Sequence, residues 1–140
     1  MEATEPTITR PGESSASGIT SRAFIGVVDD DASILRALQR LLGAAGFTVQ
    51  TFGSGEELLA SKQLDRFQCL VLDVHLTGLS GFDVQERLNE TRHFIPIVFI
   101  TAHDDATTRE RARRTATSQY LRKPFDEQSL IAAIQTAVAG

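Results

Sequence analysis

The most constraining feature of this chain is a repeated alternation between short apolar runs and longer segments of helical periodicity. The apolar runs are AFIGVV, FTVQTF, QCLVLD, PIVFIT and QYLRK, which begin at residues 23, 47, 68, 96 and 119. Such runs are typical of β-strands, and their alternation with helices is typical of βαβ units with parallel strands. Right-handed crossovers leave few topologies for a chain of 140 residues. We therefore predict an α/β fold, a doubly wound, five-stranded parallel sheet with helices on both faces.

The segments between the runs predict five helices. In the first, apolar residues from Ile34 to Ala45 recur at spacings of about three and four, as on one face of an amphipathic helix, and Gly46 is expected to end it. The spacing from Ser54 to Glu57 is that of a capping box, in which the two side chains satisfy backbone donors reciprocally. The other helices are predicted over FDVQERLNE, DATTRERARRTA and EQSLIAAIQTAVA, from residues 82, 105 and 127.

The first 22 residues differ in composition from the rest of the chain. They mix Pro, Gly, Ser, Thr and charged residues without an apolar period, so they cannot bury enough surface to offset the entropy of ordering. We predict a flexible N-terminal tail over residues 1–22 and one folded domain over residues 23–140.

Charge and cysteine content restrict the function classes. A net charge of −4 gives no general attraction to nucleic acid or to an anionic membrane. The one cysteine, Cys69, lies in the apolar sequence CLVL, which predicts a buried thiol in a reducing compartment. The apolar runs are too short to cross a bilayer, and the N-terminus lacks the apolar block of a secretory signal. We expect a cytoplasmic protein that does not bind membranes.

Polar side chains stand where four of the five predicted strands end. Asp29 and Asp30 follow the first strand, Asp73 ends the third, Thr101 the fourth and Lys123 the fifth. Since the carboxyl ends of parallel strands share one edge of the sheet, we expect these side chains to converge. Clustered carboxylates repel each other, and oxygen ligands of this kind favour Mg²⁺. A lysine ammonium and a threonine hydroxyl are suited to phosphoryl oxygens.

An aspartate is the expected phosphoryl acceptor in such a site. The chain has no G-x-x-x-x-G-K-[ST] motif, so ATP is not the expected donor. A carboxylate that forms an acyl phosphate is an established covalent strategy. Asp31, the third consecutive aspartate, is expected to cap the first helix instead of binding the metal.

The sequences VVDDD, VLDVHLTGLSG, PIVFITAHDD and YLRKPF together resemble the receiver domain of bacterial two-component response regulators, over Ala23 to Ala139. The resemblance implies a flavodoxin-like fold with strand order 2-1-3-4-5. It also implies that Asp73 is phosphorylated by a partner, either a sensor histidine kinase or a phosphotransfer protein. The chain would then be a phosphoacceptor signalling domain and not an enzyme acting on other substrates.

The resemblance further implies which residues bind the metal. Mg²⁺ would be held by Asp30, Asp73 and the backbone carbonyl of His75, and Asp29 would support the acidic site through water. Of these four residues, only His75 would contribute through its backbone instead of a carboxylate.

A signalling role is implied for three further residues. Lys123 would pair with the phosphorylated aspartate, Thr101 would bond a phosphoryl oxygen, and Tyr120 matches the aromatic switch position. Phosphorylation would draw the Thr101 hydroxyl inward and let Tyr120 rotate, so that the fourth helix repacks. The surface of the fourth helix, fifth strand and fifth helix would then bind a downstream protein or a second copy of the chain.

The sequence departs from the receiver pattern at three places. Thr77 stands where the loop after the phosphorylated aspartate usually has proline, so that loop loses a fixed φ. Ala116 and Thr117 replace a common glycine-alanine pair. His75 and His103 lie two residues beyond the acceptor aspartate and the switch threonine. We hypothesise that this histidine pair shields or positions the attacking water, so that phosphoryl lifetime depends on pH; unchanged rates in alanine variants would refute this.

A basic run, RERARR, lies in the predicted fourth helix. Glu110 can pair with Arg114 at i, i+4, and no aromatic residues interleave for base stacking. We therefore expect a solvated face that docks an acidic partner or a second copy, and no direct nucleic-acid binding by this chain. The helix offers few large apolar residues, which predicts weak anchoring.

Two other functions stay open at this point. A small Mg²⁺-dependent phosphohydrolase could use an aspartyl phosphate, although its D-x-D pattern would need a carboxylate where this chain has His75. A degenerate receiver could bind partners without being phosphorylated. The sequence also leaves open the cognate kinase, the output, and whether the chain acts alone or belongs to a longer regulator.

Overall fold

The computed structural model describes residues 22–102, 105–114 and 119–139. The strands are β1 (Phe24–Val28), β2 (Thr48–Phe52), β3 (Cys69–Asp73), β4 (Ile97–Thr101) and β5 (Gln119–Arg122); the helices are α1 (Ala32–Ala44), α2 (Gly55–Leu59), α3 (Gly81–Glu90), α4 (Ala106–Arg113) and α5 (Glu127–Ala139). The strands form one five-stranded parallel sheet of order β2-β1-β3-β4-β5, as predicted. The predicted N-terminal tail, apart from Arg22, lies outside the described residues.

The sheet is covered on both faces, because its strands carry apolar side chains on both sides. All five residues of β3 and all five of β4 are buried, as expected for central strands of a parallel sheet. Helices α1 and α5 cover one face, where Leu42 and Ile134 pack with Val27. Helices α2, α3 and α4 cover the other, where Leu58 and Val84 belong to the same apolar cluster. Each face therefore has its own core.

The helix ends follow local hydrogen-bonding rules, with one difference from prediction. Asp31 caps α1 by accepting two amide hydrogens of the first turn, and Gly46 has a φ of +102° just beyond the C-cap, as predicted. Ser54 caps α2 by accepting from the amide of Glu57 at 3.1 Å. The Glu57 carboxylate, however, accepts from the Gly53 amide at 2.8 Å instead of from Ser54. The expected bond from the Ser54 amide to the Glu57 carboxylate is therefore wrong, because that carboxylate binds the amide one residue earlier.

Helix α4 has little apolar contact with the sheet. Its buried residues are Thr108 and Ala112, so few methyl groups are removed from water compared with α1 or α5. Arg111 adds a side-chain link to α3: its guanidinium lies 4.8 Å from the centroid of the Phe82 ring and 3.3 Å from the Glu86 carboxylate. Such exposed contacts are weak individually. The prediction of a weakly anchored fourth helix agrees with this packing.

The C-terminal part of α4 carries the predicted charge pair. Glu110 lies 3.7 Å from Arg114, which confirms the i, i+4 interaction expected from the sequence. The described helix ends at Arg113, short of the predicted end at Ala116. Ala116 and Thr117 lie outside the described residues.

Cys69 is fully buried in β3, as predicted. Desolvation raises the pKa of its thiol to about 12, so the thiolate is scarce at neutral pH and the side chain acts as a small apolar group. Among the described residues, no helix combines the length and the apolar character needed to span a bilayer.

Candidate functional site

Three aspartates meet at the carboxyl ends of two neighbouring strands, β1 and β3. Asp29 and Asp30 follow β1, and Asp73 is the last residue of β3, which pairs with β1. Each side chain offers a carboxylate oxygen, and these oxygens lie within 4.8 Å of one another. The crevice lies where the chain order of the sheet reverses, which is the usual ligand position in doubly wound folds. The predicted convergence of these three residues is therefore present.

The three carboxylates differ in environment. Asp29 is 1% exposed and Asp73 is 6% exposed, whereas Asp30 is exposed. Desolvation raises the pKa of Asp29, and hydrogen bonds from the Asp31 amide, at 2.9 Å, and from Lys123 oppose this rise only in part. Holding the buried carboxylate ionised is therefore costly unless a cation lies nearby.

Lys123 supplies such a cation. Its Nζ lies 3.1 Å from Oδ2 of Asp29 and 3.5 Å from Oδ2 of Asp73. Burial opposes the charged form of Lys123 most strongly, but the hydrogen bonds and charges of the two aspartates together outweigh it and raise the pKa of the lysine. The amide of Lys123 donates to the carbonyl of Thr101 at 2.7 Å, which ties the lysine to the end of β4. One ammonium thus bridges two of the three carboxylates.

The backbone around Asp73 is held from several sides. The His75 amide donates to Oδ1 of Asp73 at 3.0 Å, and the Val74 amide donates to the Ile100 carbonyl at 2.9 Å. At the start of α3, Gly81 lies so close that an added Cβ would stand 2.6 Å from the Asp73 carbonyl oxygen. This glycine is required by close approach of the helix to the strand.

Gly81→Ala is expected to lower the free energy of unfolding by about 2 kcal/mol, since an added methyl group must push backbone atoms apart. Gly43→Ala is the matched control, because a Cβ there meets nothing within 4 Å inside α1. That change should raise stability by about 0.5–1 kcal/mol. Urea denaturation of both variants measures the difference; equal effects would contradict the close approach at Asp73.

Thr101 and Tyr120 lie on the sheet face that α4 covers. Thr101 is fully buried at the end of β4. Tyr120 is half-buried, pairs in register with Phe99 and packs against the apolar cluster that contains Ala112 of α4. Side chains two residues apart on a strand share a face, so Thr101 and Phe99 point the same way. Both predicted switch residues therefore belong to the α4 side of the sheet.

Of the two histidines, His75 is among the described residues. His75 is exposed, beside Asp73 in the β3–α3 loop. His103 lies outside the described residues, so the proposed pairing of the two is not described by the structure.

Thr77 is a site residue that sequence reasoning did not assign. Its amide and its hydroxyl both donate to Oδ2 of Asp30, at 3.2 and 3.0 Å. The sequence signal for this role is a hydroxyl-bearing residue in the loop that follows β3.

The donor set suits a divalent cation. Three carboxylates gather at one point, Lys123 contacts two of them, and all their donor atoms are oxygens. Oxygen-only sites with several carboxylates suit hard cations such as Mg²⁺. The residues present therefore fit the metal that the sequence implies.

Comparison with known proteins agrees with this geometry. The family model for the response regulator receiver domain matches residues 25–135. Nodulation protein W of Bradyrhizobium diazoefficiens is 40% identical over 126 residues, which are 90% of this chain and 56% of the relative. The response regulator StyR structure has a TM-score of 0.78 at 40% identity, covering 85% of this chain and 60% of that chain. Vibrio cholerae chemotaxis protein CheY4 has a TM-score of 0.76 at 27% identity, covering 84% and 99%.

The chain spans about half the length of the curated relatives it matches. The matched residues include the three aspartates of the crevice and Lys123, which follows β5. The chain belongs to the response regulator receiver domain family and is a receiver domain of a two-component response regulator.

Proposed function

We propose that this receiver is a phosphoacceptor switch, in which Asp73 takes a phosphoryl group from a phosphohistidine of a sensor histidine kinase or phosphotransfer protein. A carboxylate oxygen of Asp73 attacks phosphorus, the new P–O bond forms as the P–N bond breaks, and the leaving electron pair stays on the imidazole nitrogen. The product is an acyl phosphate. The observation that carries the proposal is the placement of Asp73 beside two further carboxylates and within 3.5 Å of the Lys123 ammonium.

The residues around Asp73 have separate roles in this proposal. Asp30, Asp73 and the backbone carbonyl of His75 would hold Mg²⁺, with Asp29 supporting the site through water. The bound cation would offset the negative charge of the carboxylates and the incoming phosphoryl oxygens. The Nζ atom of Lys123 lies 3.5 Å from Oδ2 of Asp73. After phosphorylation it would pair with a phosphoryl oxygen instead.

The output would arise on the α4 side of the sheet. A phosphoryl oxygen would accept the hydroxyl hydrogen of Thr101, and Tyr120 would move toward the space behind it. Because α4 buries only two of its side chains, its position should respond to that movement. The resulting α4–β5–α5 surface would contact a downstream protein or a second copy of the chain, not nucleic acid.

We also propose a cytoplasmic location and a role for His75 and His103 in tuning dephosphorylation.

Incubation with Mg²⁺ and a small phosphodonor, such as acetyl phosphate, tests this function. Intact-mass spectrometry should show uptake of one phosphoryl group per chain, with loss of the group in hydroxylamine as expected of an acyl phosphate. Continuous turnover of phosphate esters would instead indicate a phosphohydrolase. Absence of uptake, together with an unchanged amide NMR spectrum, would indicate a degenerate receiver.

A further inference from the structure

Thr77 connects two loops that are far apart in sequence. Its amide and hydroxyl bind Oδ2 of Asp30, which is 47 positions earlier in the chain. The first loop, between β1 and α1, carries Asp29 and Asp30; the second, between β3 and α3, carries His75 and Thr77. Both loops carry groups to which we assign metal binding, so the contact fixes one part of the proposed site relative to the other.

Asp30 needs such a fixing contact more than its neighbours do. It is exposed, whereas Asp29 and Asp73 are held by burial and by Lys123. An exposed carboxylate retains rotamer freedom that must be lost when it ligates a cation. Two donors from a single residue restrict that freedom before any ligand arrives.

The contact also leaves Asp30 able to bind a cation. Both donors reach the same oxygen, Oδ2, and a carboxylate has about four lone-pair positions over its two oxygens. A proline at position 77 could provide neither bond, because it has no amide hydrogen and no hydroxyl. The contact is therefore a property of this sequence at a position where proline is usual.

We infer that Thr77 is a positioning residue for Mg²⁺ binding, which holds the Asp30 carboxylate in its ligating orientation through two hydrogen bonds. This inference rests on the proposed function for the assignment of Asp30 as a ligand. Partners that hydrogen-bond to metal-ligating groups typically change metal affinity by about 10–100-fold when they are removed. The exposed position of Thr77 places its contribution at the lower end of that range.

Isothermal titration of the full chain with MgCl₂ at constant ionic strength tests the inference. Thr77→Val keeps the shape and the amide but removes the hydroxyl, and it should weaken Mg²⁺ binding about 10-fold. Thr77→Ser restores the hydroxyl and should bind Mg²⁺ as the wild type does. Thr77→Pro removes both donors and should bind at least as weakly as the valine variant. Melting curves without Mg²⁺ check that each variant is folded.

Asp30→Asn separates this inference from the proposed function. If Asp30→Asn weakens Mg²⁺ binding but Thr77→Val leaves the affinity unchanged, Thr77 has no positioning role and the metal assignment stands. Tighter binding by Thr77→Val would show that the hydroxyl competes with the cation, which also overturns the inference. An unchanged Mg²⁺ affinity in Asp30→Asn would overturn the metal assignment itself. Weakening in both variants with recovery in Thr77→Ser supports the inference.

Discussion

Asp73→Asn is expected to reduce phosphoryl uptake from acetyl phosphate to background while leaving the protein folded. The amide has the size of the carboxylate and keeps an oxygen that can accept the His75 amide hydrogen, but it lacks the charged nucleophile. Because one of three clustered carboxylates is neutralised, repulsion falls and thermal stability without Mg²⁺ should not decrease. Intact-mass spectrometry measures uptake, and circular dichroism measures the melting temperature.

The matched control for this variant is Asp65→Asn. Asp65 lies in a short 3₁₀ helix, its side chain is 92% exposed, and it pairs with His93 away from the acidic crevice. Uptake by this control should equal that of the wild type. Full phosphorylation of Asp73→Asn at the wild-type rate would mean that another residue is the acceptor and would overturn the proposed function.

Lys123→Met is expected to lower the free energy of unfolding at neutral pH by about 3 kcal/mol, because it leaves a buried carboxylate without its cation. The carboxylate concerned is that of Asp29, which is 1% exposed and accepts a hydrogen bond from Nζ of Lys123 at 3.1 Å. Methionine preserves most of the apolar stem of lysine, so the loss should report on charge more than on packing. Urea denaturation measures this loss.

The pH dependence of this variant follows from the sign of the Asp29 shift. Burial raises the pKa of Asp29 in the folded chain above its ordinary 3.8, so the folded state binds the proton more tightly than the unfolded state. Stability from this group therefore falls as pH rises from about 3.8 through the folded-state pKa. Removing Lys123 raises the folded-state pKa of Asp29 further, so stability continues to fall up to a higher pH. The deficit of Lys123→Met should shrink when the pH is lowered towards 4.

Two variants check the electrostatic origin of the effect. Lys62→Met removes an exposed lysine and should change stability by less than about 0.5 kcal/mol. Asp29→Asn combined with Lys123→Met removes both charges and should recover most of the stability. A double variant no more stable than Lys123→Met would show that lost packing, not an uncompensated charge, causes the destabilisation.

The fold was predictable because it depends on patterns that are local in sequence. The runs ending at Val28, Asp73 and Thr101 are short, apolar and separated by helical periods, and these features specify parallel strands without knowledge of any contact. The convergence of Asp29, Asp73 and Lys123 then follows from topology, since parallel strands bring their carboxyl ends together.

The individual hydrogen bonds of the site were not predictable in this way. Lys123 lies closer to Asp29 than to Asp73, and this choice depends on side-chain rotamers and on distances across strands. The two bonds from Thr77 to Asp30 join loops that no periodic pattern relates. The Glu57 contact with Gly53 likewise depends on the path of the chain before α2. Such details are set by tertiary geometry, which sequence spacing does not encode.

The uneven packing around Asp73 gives the domain regions of different mechanical compliance. Behind the acceptor, the β3–β4 ladder and the close contact with Gly81 form a stiff support that resists displacement. By contrast, α4 is held by Thr108, Ala112 and the exposed contacts of Arg111. When the surroundings of Asp73 change, the element with the fewest packing contacts moves most easily. In the proposed switch, a movement that starts at Asp73 would therefore displace α4 more readily than the β3–β4 ladder.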